Sequence, residues 1–315
     1  MGNSDAQLMM ELTERRSMGT GAFFGWNGIC FDLPEGWELA RIGKSDLAFE
    51  EADRMILEMR WKRGEDRVGL ERTIRRRIER YARDGVQVHR RQPPPGWLQA
   101  QEEQEAEWAF LEWRRKPDLG MEIVRACSVC GMVCIFRVHP PGDAACRWTD
   151  GWCRMESVLR SFSDHVHPGG IRFSLYDIDL LVPEDFRLNR FSFHPGAFEL
   201  QFYADHGNIR FHRWAPAALL LQGKPLEFFG ATIFEQARWR RLHVRADEEA
   251  VLGDLQPQGW LDRIRLRAEN RWFCLQYDRT SDRLLGIRYA GRKRHTDDQI
   301  ERLSRLFRVR RQISI

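Results

Sequence analysis

A Pro-Glu-x-aromatic-x-Leu element occurs twice in this chain, and it limits what the chain can fold into. Residues 31–39 read Phe-Asp-Leu-Pro-Glu-Gly-Trp-Glu-Leu, and residues 180–188 read Leu-Leu-Val-Pro-Glu-Asp-Phe-Arg-Leu. Pro34 matches Pro183, Glu35 matches Glu184, Trp37 matches Phe186 and Leu39 matches Leu188. The physics is the same in both. A strand runs up to a proline, which has no N–H to give the ladder. A polar turn follows, and the next strand starts on an aromatic large enough to anchor a core.

The correspondence extends outward in order. Residues 55–61 and 209–214 alternate like strands and each ends on a tryptophan, Trp61 and Trp214. A helix is expected next in the first copy, where Leu70, Ile74, Ile78 and Tyr81 fall at helical spacing. The second copy has a shorter helical candidate from Pro225 to Arg238. Strands are expected at 107–113 and 121–138 in the first copy and within 266–289 in the second. Both copies close on an amphipathic helix. Trp152, Met155, Val158, Leu159 and Phe162 share one face, as do Ile300, Leu303, Leu306 and Phe307, and Thr296 to Gln299 forms a capping box. The expected organisation is a helical extension over 1–23, with its helix at 4–17, a first module over 24–165 and a second over 172–315. His165 to Gly170, ending Pro-Gly-Gly, is the linker between them.

The order of these elements, with Phe31 to Trp37, its echo at Leu180 to Phe186 and the closing helices, resembles the PsbP/Mog1-type fold, which includes DcrB-like bacterial proteins. The resemblance implies an α+β class: two tandem modules, each an antiparallel β-sheet flanked by helices. Most members of such families are non-enzymatic accessory proteins, so it brings no catalytic residue. Phe186 in place of the tryptophan and the poorly marked middle helix of the second copy depart from the pattern.

Composition narrows the setting. Of 315 residues, 43% are hydrophobic, enough for two cores. Fifty bases against 46 acids leave +4, too balanced to indicate nucleic acid without a segregated basic face. No run approaches the ~18 apolar residues of a membrane span. Seven cysteines and the lack of a secretory signal between Met1 and Met18 suit a reducing cytoplasm.

The sharpest local chemistry is Cys127-Ser-Val-Cys130-Gly131, which has the spacing and trailing glycine of a metal knuckle. Cys134, Cys146, Cys153, His139 and His165 could complete a site, but none forms a second paired motif. The competing reading is a hairpin over 123–138 with small residues near its tip. It is preferred, because the second copy has no such cluster and the fold does not require a metal. No cofactor is therefore expected.

The arginine run 72–77, with Glu71 and Glu79 beside it, reads as a solvated helix face. Further basic strips lie at 238–241, 292–295 and 308–311. The pair His165 and His167, and His194, His206 and His212, read as surface or turn residues. There is no nucleophile elbow, P-loop or dinucleotide fingerprint. Twelve tryptophans belong mostly to the cores, although tryptophan and arginine also form interface hot spots. The expected function is a non-enzymatic adaptor, assembly factor or accessory subunit that binds a protein partner. The alternative is a nucleic-acid-binding accessory protein using the arginine strips.

Overall fold

The computed structural model describes residues 22–63, 69–92, 106–115, 118–139, 148–165, 169–234, 237–242, 248–255 and 270–310. The chain splits into two compact units, Met1–Phe24 with Ile29–His165, and Gly25–Gly28 with Val166–Ile315. The helix expected at 4–17 lies outside the described residues. No helix among the described residues is long and apolar enough to cross a membrane.

The described residues open on the hairpin β1 (Ala22–Trp26) and β2 (Ile29–Leu33). Asn27 and Gly28 turn it at φ 46° and 93°, as a two-residue hairpin requires. β2 stops before Pro34, and Trp37 is buried. The first unit continues with β3 (Glu38–Ile42), β4 (Asp46–Glu51), β5 (Arg54–Arg63), α1 (Leu70–Arg83), β6 (Gln87–Arg91), β7 (Ala106–Arg115), β8 (Asp118–Cys127), β9 (Met132–Val138) and α2 (Trp148–Ser161). Seven of these strands form one sheet in the order β3-β4-β5-β9-β8-β7-β6. Strict alternation along β9 presents its two faces to two cores. Val133 and Ile135 face the layer where Leu70 and Ile74 of α1 meet Ala109, Leu111 and Val124. On the opposite face Phe136 meets Phe162 edge-on at 5.1 Å, and Phe49 meets Phe31 at 5.7 Å.

The second unit holds β10 (Ile171–Leu175), β11 (Ile178–Val182), β12 (Arg187–His194), β13 (Ala197–Ala204), β14 (Gly207–Trp214), α3 (Ala217–Leu221), α4 (Leu226–Ile233), β15 (Ala237–Leu242), β16 (Glu248–Leu255), β17 (Asn270–Asp278), β18 (Arg283–Gly291), α5 (Asp297–Arg305) and β19 (Phe307–Val309). Its large sheet runs β12-β13-β14-β18-β17-β16-β15, the first unit's order position for position. Both sheets also carry an irregularity at the equivalent place in their first strand, between Leu39 and Arg41 and between Leu188 and Arg190. Gly25 pairs with Ser174 of β10, and the Trp26 ring lies edge-on to Phe173 and Phe191. β11 is flanked by β10 and β19. α3 and α4 contribute Ala217, Leu221 and Leu226 to a core with Phe273, Leu275 and Leu284.

The expectation of helix-flanked α+β modules is not met. The described residues make nineteen strands and five helices, and the strands lie in three antiparallel sheets, so the fold is β-rich and sandwich-like. The physical reason lies in what covers the sheets. One face of each large sheet is met largely by hairpin aromatics, including Phe31 against Phe49 and Phe173 against Phe202. The helical stretch foreseen from Pro225 to Arg238 is two short helices, and Arg238 already belongs to β15. Ile78, expected on the buried face of α1, is exposed.

Several tryptophans serve as lids over glycines. Trp113 sits opposite Gly120 across the β7–β8 ladder, and Trp239 sits opposite Gly253 in β15–β16. A Cβ at Gly120 would lie 2.1 Å from Trp113 Cζ2. Trp113 is itself buried and carries the Arg137 guanidinium 4.7 Å above its ring, so it has little room to yield. Gly120→Ala should therefore cost about 1–3 kcal/mol through overpacking, read as a lower urea midpoint at an unchanged slope.

Candidate metal centre

The β8–β9 hairpin turns through Cys127, Ser128, Val129 and Cys130, and Gly131 takes φ 67° where the chain re-enters a strand. The equivalent stretch of the second unit, Asp278 to Ser281, contains no thiol. After α2, Phe162 enters the aromatic core, and Ser163 bridges Cys30 through two backbone hydrogen bonds of 2.8 Å. That bridge brings the next two residues, Asp164 and His165, to the hairpin turn.

One ligand-type atom each from Cys127, Cys130, Asp164 and His165 lies within 4.8 Å of the others. Cys127 Sγ is 3.1 Å from His165 Nε2, and Cys130 Sγ donates to Asp164 Oδ2 at 3.4 Å. Asp164 is 1% exposed. Its Oδ2 accepts from Arg125 at 2.5 Å, while Oδ1 has no hydrogen-bond partner and lies 3.5 Å from His165 Nε2. Arg125 is buried between the Trp108 and Phe162 rings, at 5.4 and 5.3 Å. Burial pushes the Cys127 thiol up. The N–H groups of Cys130 and Val129, His165 and the Cys130 thiol outweigh it, so the net direction is down. Burial and the neighbouring Asp164 and Cys127 push Cys130 up to about 12, although the Met132 N–H acts the other way. The two thiols are thus driven in opposite directions, with Cys127 the more readily ionised.

Of the residues weighed from sequence, Cys127, Cys130 and His165 come together. Cys134 faces the core of β9, where burial pushes its thiol well above the ordinary range. His139 lies apart, hydrogen-bonded to Glu58 at 2.9 Å. Cys153 falls in α2, and Cys146 and His167 lie outside the described residues. Asp164 is the member that spacing did not reveal. Its only sequence signal is its place directly before His165.

Other buried charges are held in ion pairs. Glu122, fully buried, accepts from Arg77 Nε at 2.6 Å and from the Tyr81 hydroxyl at 2.6 Å. Arg77 thus leaves the arginine run for the interior. Asp179 accepts from Arg172 and Arg308. At the surface, Arg240 donates to Asp254 and Asp297.

No family model matches the chain, and no curated protein matches it. A crystal structure from Bacteroides thetaiotaomicron at 1.50 Å resolution is similar at 13% identity with a TM-score of 0.29. The likeness covers 52% of this chain and 53% of that one, so this chain matches about half the length of the solved protein. A likeness at that level carries no argument about function.

The histidines of the second unit divide by burial. His212 stacks on Trp214 with ring centres 5.1 Å apart, and burial, aided by Arg210 and Arg288, lowers its pKa to about 4. Glu199, 3.8 Å away, would oppose this, but it is partly exposed and also faces Arg210 at 3.8 Å, so burial prevails. A folded pKa near 4 against about 6.5 unfolded means that the unfolded chain binds the proton first. The contribution is complete above pH 6.5 and is lost as pH falls toward 4, on the order of 3 kcal/mol. His212→Phe keeps the stacked ring and removes the titration. Between pH 6.5 and 4 the variant should lose less thermal stability than the wild type. Equal losses would show that His212 does not carry this term.

Proposed function

We propose that the protein is a non-enzymatic adaptor or accessory subunit of the cytoplasm that binds a protein partner, with the α3–α4 hairpin as its docking face. One observation carries the reading. The hairpin turns Ala217, Leu221, Leu226 and Gly230 inward, yet leaves Leu219 69%, Leu220 40% and Phe228 55% exposed. Scattered single apolar residues need no explanation, but three on one short helical hairpin are a recurring mark of an interaction site. Covering the exposed part of such side chains is worth on the order of 1–2 kcal/mol each. The Lys224 ammonium lies 4.1 Å above the Phe228 ring, giving this face a cationic edge suited to an acidic partner surface.

The arginine-strip alternative has less support. Arg77, Arg240 and Arg308, one from each of three strips, are already engaged by Glu122, by Asp254 with Asp297, and by Asp179. The strips therefore offer phosphates fewer cations than their composition suggests. A cytoplasmic setting accords with five thiols present as free cysteines, Cys30, Cys127, Cys130, Cys134 and Cys274.

Affinity capture from the native host tests the reading, comparing the wild type with a Leu219→Glu/Phe228→Glu variant of matching circular dichroism. A stoichiometric partner should co-purify with the wild type and be reduced at least about tenfold with the variant, the scale of losing ~1.4 kcal/mol or more at a hot spot. Equal recovery from both would remove the docking face. Salt-sensitive retention on DNA with no protein partner would favour the nucleic-acid reading instead.

A further inference from the structure

We infer that Cys127, Cys130, Asp164 and His165 form a site for a zinc-type divalent cation, bound by two sulfurs, one imidazole nitrogen and one carboxylate oxygen. The donor set is the first argument. Two thiolates with an imidazole select a borderline-soft ion with a tetrahedral preference, and a carboxylate oxygen completes four ligands. The atoms already lie within 4.8 Å of one another, so modest contraction would bring each to bonding distance of a central ion.

The backbone is the second argument. The N–H groups of Val129 and Cys130 point at Cys127 Sγ, and that of Met132 points at Cys130 Sγ. Gly131 supplies the left-handed residue that lets the chain turn back beneath the sulfurs. A pair of cysteine sulfurs cradled by amide donors is the arrangement of a metal knuckle, and an ordinary hairpin does not need it. The second unit makes the same turn with Asp278, Arg279, Thr280 and Ser281 at the positions of Cys127 to Cys130.

Asp164 is the third argument and stands independently of the cysteines. Its carboxylate is almost wholly buried, and Arg125 holds one oxygen. The other oxygen, Oδ1, is left without a hydrogen bond on the side of the cluster. A buried carboxylate oxygen with no donor is costly. A cation between Oδ1, His165 Nε2 and the two sulfurs satisfies it, with Arg125 orienting the ligand from behind. Both sulfurs ligate as thiolates, so the protons that Cys127 and Cys130 carry as thiols are released to solvent on binding. With four protein ligands the site is closed and structural, tying the β8–β9 turn to the chain beyond α2 within the first unit.

The full-length chain, purified without a histidine tag or chelator, should contain about one zinc per molecule by elemental analysis. After stripping and thiol reduction it should take up cobalt(II) with thiolate-to-cobalt charge-transfer absorption and tetrahedral ligand-field bands. Cys130→Ser should abolish that spectrum. His165→Ala, an exposed change that does not threaten folding, should weaken uptake by about tenfold or more. Cys30→Ser, outside the cluster, should bind as the wild type does. The inference is overturned if the reduced wild type shows no charge-transfer absorption with cobalt. It is equally overturned if the Cys130→Ser/His165→Ala double variant binds as tightly as the wild type.

Discussion

Each unit is closed by its own last residues, and the rest of its structure depends on that closure. In the first, Phe162 stacks beside Phe31 and meets Phe136 edge-on, while Ser163 bridges Cys30. In the second, Phe307 meets Phe211 edge-on, and Arg308 pairs with Asp179 at the equivalent step. These contacts join residues far apart in sequence, 129 positions in the case of Arg308 and Asp179. The opening hairpin of each unit therefore lacks part of its covering until the closing helix is in place. Such non-local contacts must repay the entropy of a long loop before they stabilise anything. Buried rings worth about 1.5–3 kcal/mol each do so here. Closure also explains the position of the cysteine cluster. Once Phe162 and Ser163 are seated, Asp164 and His165 have nowhere to go but the β8–β9 turn.

Buried ion pairs reinforce this arrangement in a different way. Arg125 with Asp164, Arg77 with Glu122, and Asp179 with Arg172 and Arg308 are weak grounds for net stability, because desolvation consumes most of the attraction. Their effect is on alternatives. A strand slipped by one residue would turn Glu122 or Arg125 to the wrong face and leave its partner buried and unpaired. That penalty is about 3–5 kcal/mol for each broken pair. Asp177, which accepts from Arg213 and Arg283, fixes the β10–β11 turn in the same manner, where Tyr176 adopts an unfavourable φ of 50°.

Local regularities were readable in the sequence, and long-range ones were not. The spacing of Leu70, Ile74 and Tyr81 marks α1, and both hydrogen bonds of the Thr296 capping box form as its residues imply. The proline-turn element at Pro34 and Pro183 ends strands at both places. The fold class was misread because periodicity reports which stretches are helical but not what covers a sheet. The aromatics that build the second layer, such as Phe31 and Phe173, look like any buried strand residues until their partners are known. The candidate cluster is half legible for the same reason. Cys127 and Cys130 announce themselves by spacing, whereas Asp164 becomes a candidate only when the chain returns 34 residues later beside Cys130. Arg77 was misjudged as solvated because the carboxylate that draws it inward, Glu122, lies 45 residues away on β8.

The two units share a strand order, a bulge and a closing segment, so what differs between them was not demanded by the architecture. The scaffold makes the hairpin turn with Cys127 to Cys130 in one case and with Asp278 to Ser281 in the other. It follows the third strand of the large sheet with one helix, α1, in one unit and with the two-helix α3–α4 element in the other. Because either version completes the fold, stability alone does not account for a pair of thiols beside a buried, half-satisfied carboxylate. Nor does it account for Leu219 and Phe228 facing water, since exposed apolar residues on a hairpin add an aggregation liability and no core. Features that cost the molecule something, at positions where the other unit shows they can be dispensed with, are where binding is expected. By that criterion the proposed ion site falls in the first unit and the proposed docking face in the second.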